Sequence, residues 1–494
     1  MEAEQERQEQ VRGATDRALE AATGMLARWE DERDRSPLDR VVEAELRSRR
    51  YLNSFERRWV GDLVFNTVRF LRRQTWLLDA LALPVTPEGL AWLGACAPGM
   101  PDGTPPLIPL TFRRTSPLVP WEALKAALAR LPGPDDPRAF LRITLSYSDP
   151  MAKELEEQLG AEAVPAGVAL NAQAPATLRV NVLRASREQV QAVLPEAKPT
   201  TYSPWGLELP RRANLYDLPG FREGWYEAQE EASQLVAILA DPRPGQTVVE
   251  VGAGAGGKTL ALAALMGGRG RLVALDSSEA RLEELRKRVR RANAHGIRTL
   301  ALPTDTEGKW LPSGAAAKAL EQLQGRAGVV FCDMPCTGSG ILRRSPDAKW
   351  REYDLSAFAR LQQTLLTQAS ALVAPGGVLL YVTCAFERAQ NEAVIGAFLA
   401  SPSGSDFALD LVAPRFIAAC RRAAVLASSR TESRIAEEES YRGEEARLAV
   451  LSAGPYLRSW PHRHGLDAFF AACLKKAEPS RGKLELPVPH LQSQ

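Results

Sequence analysis

The sequence predicts an α/β protein whose C-terminal half is a doubly wound, mostly parallel sheet, preceded by an all-α segment and a small α+β unit. Three observations carry this. Short apolar runs alternate with stretches of helical periodicity from about residue 246 onward, a glycine-rich turn follows the first run, and acids stand at the ends of later runs. Sheets of this kind bind ligands at the carboxyl ends of their strands.

Taken in chain order, the first element is helical. From Ala14 to about Leu83 apolar residues recur at helical spacing, as in Leu19, Ala22, Leu26 and Trp29, then Trp59, Leu63, Val64, Val68 and Leu71. Ser36-Pro37 supplies an N-cap with proline at the first helical position, which divides the first helix from the next. Pro98 to Pro120 is rich in Pro and Gly and reads as a linker, with a second break at Pro132 to Pro137. Strand signals follow around Thr177-Leu178-Arg179-Val180-Asn181-Val182, then a helix with a capping box from Ser186 to Gln189, and another strand near Leu207 to Leu209. Tyr202, Trp205, Tyr216, Phe221, Trp225 and Tyr226 cluster nearby. Most are expected in the core, and some are candidates to stack on unpaired bases.

The sheet begins with Gln246 to Val251. The turn Gly252-Ala253-Gly254-Ala255-Gly256-Gly257-Lys258-Thr259 then opens a helix rich in Ala and Leu up to Met266. Three ligand classes fit this loop: a phosphate-cradling P-loop with magnesium on Asp333, a dinucleotide through Gly252, Gly254 and Gly257, or S-adenosylmethionine, whose carboxylate would face the helix N-terminus. Arg271 to Asp276 reads as a second strand, with Asp276 where a ribose diol would lie. Thr299 to Asp305 reads as a third, with Asp305 placed to accept from an adenine amino group. The helix between them, Ser278 to His295, buries Leu282, Leu285 and Val289. The acids weigh against an NTPase, which has no evident need for them there.

Two cysteines follow later apolar runs: Cys336 in Asp333-Met334-Pro335-Cys336 and Cys384 in Val382-Thr383-Cys384. A thiol at the mouth of a strand serves as a nucleophile when its surroundings lower its pKa, and the pairing suggests covalent chemistry on a nucleobase. Cys332, Cys96, Cys420 and Cys473 lack such context and are expected in the core. No metal is expected. Cys332 and Cys336 have no further ligand nearby to complete four-coordination, and His462 and His464 have no partners.

Glu250 to Thr259, Asp276, Asp305, Asp333 to Gly340, Leu342 to Trp350, and Thr383-Cys384 with Asn391-Glu392 together resemble the RsmB/Sun-type RNA cytosine-5 methyltransferases; Pro461-His462, Asp467 and Phe469-Phe470 resemble that family's closing strand. The resemblance covers roughly the last two-thirds of the chain. It implies a Rossmann-like class I methyltransferase domain using S-adenosylmethionine, with Cys384 adding to carbon 6 of the target cytosine, Asp333 acting at ring N3, Cys336 assisting release and Lys258 positioning substrate or cofactor. The cofactor would be held by Gly252, Ala253, Gly254, Ala255, Gly256, Gly257, Lys258, Asp276, Asp305 and Asp333. One departure stands out: the family's loop is Cys-Ala-Ala-Pro-Gly-Gly-Lys, and here Gly252, Gly254 and Ala255 replace Cys, Ala and Pro. Cofactor affinity is the property affected, because glycine loosens a loop that proline pre-sets.

The same resemblance makes residues 1–145 a NusB-like RNA-binding domain, 146–225 an RNA-recognition-like subdomain, 226–478 the catalytic domain and 479–494 a tail. The implied substrate is 16S ribosomal RNA, or else tRNA. From other classes, a P-loop NTPase and a non-catalytic rRNA-binding assembly factor are the rival readings. The 62 basic and 60 acidic residues nearly cancel, so any RNA surface must be local. Of two basic runs, Arg286 to Arg291 is expected to be a solvated helix face, whereas Arg343, Arg344, Lys349 and Arg351 lie in the motif loop and are expected to contact phosphates. Six scattered cysteines without framework spacing, a polar N-terminus and no apolar run of membrane length point to a cytoplasmic protein that meets no membrane, expected as a monomer.

Overall fold

A computed structural model describes residues 2–96, 119–427 and 445–478, with side chains from residue 16 onward. Most of the linker from Pro98 and the whole 479–494 tail lie outside these residues.

The N-terminal helices α1 (Glu2–Glu32), α2 (Leu38–Ser48), α3 (Ser54–Arg69), α4 (Leu71–Ala80), α5 (Pro87–Cys96) and α6 (Trp121–Leu128) surround one apolar core. Every residue picked out above by helical spacing belongs to it: Ala22, Leu26, Trp29, Leu63, Val64 and Val68 are buried, and Leu19, Trp59 and Leu71 pack against them. Asn53 caps α3 through a capping box with Glu56. Helix α7 (Pro137–Ala139) runs into a π-helical turn, Phe140–Thr144, followed by α8 (Asp149–Leu159) and α9 (Ala163–Asn171). These pack on Leu342, Ala348, Phe386 and Trp460, so residues 140–171 share a core with the motif loop instead of with the small sheet that follows them.

That small sheet is antiparallel, in the order β2-β3-β1-β4, from β1 (Ala176–Val180), β2 (Lys198–Pro199), β3 (Gly206–Leu209) and β4 (Tyr226–Ala228), with α10 (Arg187–Val193) carrying the expected capping box. Trp205 and Tyr226 are fully buried, Tyr202 and Phe221 nearly so, and only Tyr216 is well exposed, at 62%. The aromatic cluster is therefore core.

The large sheet comprises β5 (Thr247–Val251), β6 (Arg271–Asp276), β7 (Ile297–Ala301), β8 (Ala327–Asp333), β9 (Val373–Thr383), β10 (Phe407–Asp410), β11 (Ser452–Ala453), β12 (Tyr456–Arg458) and β13 (Phe470–Lys476). Its order is β11-β12-β13-β9-β8-β5-β6-β7, with β10 also paired to β13. Strands β5 to β9 run parallel and β13 antiparallel to them. Helices α11 (Glu231–Ala240), α12 (Gly257–Leu265), α13 (Glu279–Ala292) and α17 (Val412–Ala427) cover one face; α14 (Gly314–Leu323), α15 (Leu355–Ser370) and α16 (Glu392–Leu399) cover the other. From β5 the chain builds the sheet outward through β6 and β7 and then returns to β5's other side with β8, and the crevice above that switch point is where ligands bind in such folds. The α/β class and the doubly wound sheet are as the sequence predicts.

The basic run on α13 is only partly a solvated face. Arg288 and Arg291 pair with the buried carboxylate of Glu227 on β4, at 3.0 and 2.6 Å, and Arg291 also lies 4.1 Å over the Phe221 ring. Asn181 donates to Ala292 O and Arg179 to Gly257 O, so the small sheet is riveted to the large domain by its own strand-motif residues. Replacing Glu227 with Ala strands two guanidinium groups at this junction. The expected result is a loss of about 3 kcal/mol in chemical denaturation, with hydrogen exchange rising in β1 and β4.

Candidate active site

The loop after β5 is shaped by what its neighbours leave room for. Gly252 has φ +80°, and a Cβ there would stand 2.2 Å from Asp333 O; Gly256 has φ +90°, and a Cβ there would meet Leu285 at 2.1 Å. The glycine that replaces the family's cysteine is thus sterically required in this chain. Asp276, at the end of β6, accepts from Gly254 N and Ser278 N, both at 2.8 Å, which fixes the loop to the neighbouring strand. Helix α12 begins without a side-chain cap, leaving its first amides for a ligand carboxylate. Above Gly254 there is open space.

Glu250 opens the glycine motif in the sequence, but its environment is visible only in the structure. Its side chain is buried and neither oxygen has a hydrogen-bond partner; burial pushes its pKa up to about 8, only partly offset by the nearby Thr259 hydroxyl, which closes no hydrogen bond to it. An orphaned carboxylate beside an uncapped helix N-terminus suits a ligand with an α-amino-acid end, so the residues fit S-adenosylmethionine. They do not fit a triphosphate. Lys258 Nζ, which would hold the phosphates, instead donates to Asp333 Oδ2 at 2.7 Å, and so neutralises the acid that would hold magnesium.

Asp305 differs from its expected placement. Strand β7 ends at Ala301, and Asp305 lies four residues beyond it in an exposed turn, where Oδ1 accepts from Glu307 N and Lys309 N. Its residue type is as often a turn former as a ligand contact, and here local backbone amides claim one of its oxygens.

The approach of the two cysteine loops is set by two parallel neighbours. In the register of β8 and β9, Asp333 stands opposite Val382, and Met334 N donates to Val382 O at 2.9 Å. Cys336 and Cys384, just past the two strand ends, therefore meet, with their sulfurs 3.5 Å apart. Lys258 lies 5.6 Å from the centre of the Phe469 ring. Burial works against the Lys258 ammonium, but the carboxylate of Asp333 more than compensates and holds its pKa above the ordinary lysine value. The two thiols are unequal. The hydrogen bond from Cys384 favours the Cys336 thiolate, opposed by burial and supported by the Gly338 and Cys384 amides; the same bond, together with burial, raises the Cys384 thiol. Cys332, Cys96, Cys420 and Cys473 are buried, and burial pushes Cys473 up to about 12.

Each residue of the motif-loop basic run has an internal partner. Lys349 is 1% exposed and donates to Arg69 O, Leu145 O and Asn171 Oδ1; Arg343 donates to Gly465 O; Arg344 pairs with Asp467 at 2.8 Å and donates to Pro175 O; Arg351 pairs with Asp347. Burial and the nearby Arg69 and Arg73 cations hold the Lys349 pKa well below the usual lysine range. Spacing along the chain places these residues next to the site but does not say what they face.

Residues 237–475 match the family described as 16S rRNA methyltransferase RsmB/F. The chain is 33% identical over 307 residues to a probable ribosomal RNA small subunit methyltransferase B of Synechocystis sp., covering 61% of this chain and 60% of that one. It is 35% identical over 241 residues to ribosomal RNA small subunit methyltransferase B of Pseudomonas putida, covering 48% of this chain and 52% of that one. It thus spans a little over half the length of these curated relatives. Among solved structures, the fold is shared with PH0851 (TM-score 0.66, 24% identity, 93% of this chain and 98% of that one) and with a methyltransferase homolog protein from Pyrococcus horikoshii (TM-score 0.52, 25% identity, 70% of this chain and all of that one).

Two outcomes test this geometry. Gly252→Ala must leave the left-handed region or displace the end of β8, so it should lower stability by about 2 kcal/mol or more in thermal unfolding. Glu250, with a folded pKa near 8 against an ordinary glutamate value of 4.5, binds more protons folded than unfolded between those values. Its contribution to stability therefore falls as pH rises through that window, and Glu250→Gln should flatten the pH dependence of the melting temperature there, measured without ligand.

Proposed function

We propose, from the match of residues 237–475 to the 16S rRNA methyltransferase RsmB/F family, that this chain makes 5-methylcytosine in RNA, with small-subunit ribosomal RNA favoured over tRNA as substrate. The observation that carries the chemistry is the contact of two thiols, Cys336 and Cys384, beside the Lys258–Asp333 ion pair at the rim of β8 and β9.

Carbon 5 of cytosine is too weak a nucleophile to be methylated directly. In the proposed mechanism the Cys384 thiol gives up its proton through Asp333 to ring N3 as its sulfur bonds to carbon 6, and the electron pair of the C5=C6 bond moves into the ring, leaving carbon 5 enamine-like. Asp333 holds a proton at ring N3, with its Oδ2 bound by Lys258 and its Oδ1 left for the base. S-adenosylmethionine, when bound against Glu250, Asp276 and the α12 N-terminus, supplies an electrophilic methyl group. The Cys336 thiolate then takes the proton from carbon 5, the C5=C6 bond re-forms, and the Cys384 sulfur leaves with its electron pair and regains a proton from ring N3 through Asp333. The lowered pKa of Cys336 suits a proton acceptor, and the raised pKa of Cys384 keeps the nucleophile protonated until a base displaces the contact between the sulfurs. The target must be splayed out of its helix to reach this rim.

On the same reading the N-terminal helices (1–145) and the small α+β unit (146–225) hold the RNA, and the enzyme works in the cytoplasm, where reduced thiols persist. No helix among the described residues is long and apolar enough to cross a membrane.

Cys384→Ala should abolish methylation together with any covalent adduct on 5-azacytosine RNA, while Cys336→Ala should form the adduct on ordinary cytosine RNA and fail to release it. Gel analysis under denaturing conditions reads both. Adduct formation by Cys384→Ala would assign the nucleophile elsewhere, and clean turnover by Cys336→Ala would remove its role in release. Titration calorimetry should show S-adenosylmethionine binding; tight magnesium-dependent ATP binding in its place would overturn the reading.

A further inference from the structure

Three residues beyond Cys384 lies a carboxylate that the chemistry above does not use. Glu387 is 1% exposed, and burial raises its pKa. Its Oε2 accepts from Ser339 Oγ at 2.7 Å, Gln390 Nε2 at 3.0 Å and Thr337 Oγ1 at 3.1 Å, while Oε1 has no partner. Thr337 and Ser339 belong to the loop that begins at Cys336; Glu387 and Gln390 belong to the turn that begins at Cys384. Further bonds close the link: Phe386 N donates to Ser339 Oγ, Thr337 N to Gln390 Oε1, and Gly340 N to Cys384 O.

We infer that Glu387 is a positioning residue that sets the Cys336 loop against the Cys384 turn, so that the release thiol sits in contact with the nucleophile. Desolvating a carboxylate is costly, and a buried one with an unpaired oxygen is retained against that cost. One oxygen atom gathering donors from two loops adds to the backbone bond from Gly340 N to Cys384 O, because the β8–β9 ladder stops at Asp333 and Val382 and the two cysteines lie beyond it. The sulfurs approach to 3.5 Å past the end of the strand ladder, and this carboxylate is the charged group that binds side chains from both sides there. Misplacement by about 1 Å costs on the order of a hundredfold in rate, so the anchor bears on turnover.

The inference rests on the proposed two-cysteine chemistry and is tested separately from it. Full-length wild type, Glu387→Ala, Glu387→Gln and Ser339→Ala are compared for adduct formation on 5-azacytosine RNA, for turnover on cytosine RNA and for adduct retained on cytosine RNA. Glu387→Ala and Ser339→Ala should form the 5-azacytosine adduct, turn over roughly tenfold or more slowly, and accumulate adduct on cytosine RNA as Cys336→Ala does. Glu387→Gln keeps an oxygen acceptor and should restore release. Wild-type turnover in Glu387→Ala and Ser339→Ala, or loss of the 5-azacytosine adduct in both, overturns the inference, as does Glu387→Gln failing as badly as Glu387→Ala. A wild-type protein that forms no 5-azacytosine adduct would instead overturn the covalent chemistry itself.

Discussion

The register between β8 and β9 is the constraint on which the site depends. Parallel pairing sets Asp333 opposite Val382, and everything reactive follows within a few residues of that pair. A shift by one residue would turn each side chain to the opposite face of the sheet and separate the thiols. Both strands lie in the middle of the sheet and are buried on both faces, which pins that register with apolar packing. The glycine loop answers to the same strand end: Gly252 approaches Asp333 so closely that no side chain fits.

Buried charge then joins the parts of the molecule. Lys349 and Trp350 donate to the carbonyls of Arg69 and Val68 in the last turn of α3, and Arg69 donates back to Arg343 O. The helix macrodipole favours a cation or donor at that end, so the motif loop caps an N-terminal helix in trans. The small sheet is held in the same manner through Glu227, Arg179 and Asn181. Both N-terminal parts are therefore wired to the segments that carry the cysteine and cofactor loops, a physical route by which RNA held there would bear on the reactive rim.

Much of this was legible in the sequence. Apolar periodicity located the helical core, the α/β alternation and the strands ending at Asp276 and Asp333, because burial of alternating or helically spaced residues is a local property of the chain. Motif spacing brought forward Cys336, Cys384, Asp333 and Lys258, which the fold assembles. The apolar run from Thr299 predicts a strand end at Asp305, whereas Asp305 lies in a turn, since an apolar run does not mark where pairing with its neighbour stops. The motif loop predicts phosphate ligands in its arginines and lysine, whereas the structure ties all four internally, with Arg343 and Lys349 buried and Arg344 and Arg351 half-buried.

By itself the sequence determined the fold class, the order of its elements and the residue types of a thiol-based site. Only the tertiary structure decided which charges are spent inside the protein, that Glu250 is left without a partner, and that Glu387 links the two cysteine loops. The reason is physical: secondary structure and strand termini follow from neighbours along the chain, whereas the state of a charged side chain depends on what the fold places opposite it. Ser339 and Glu387 stand 48 positions apart in sequence and 2.7 Å apart in space.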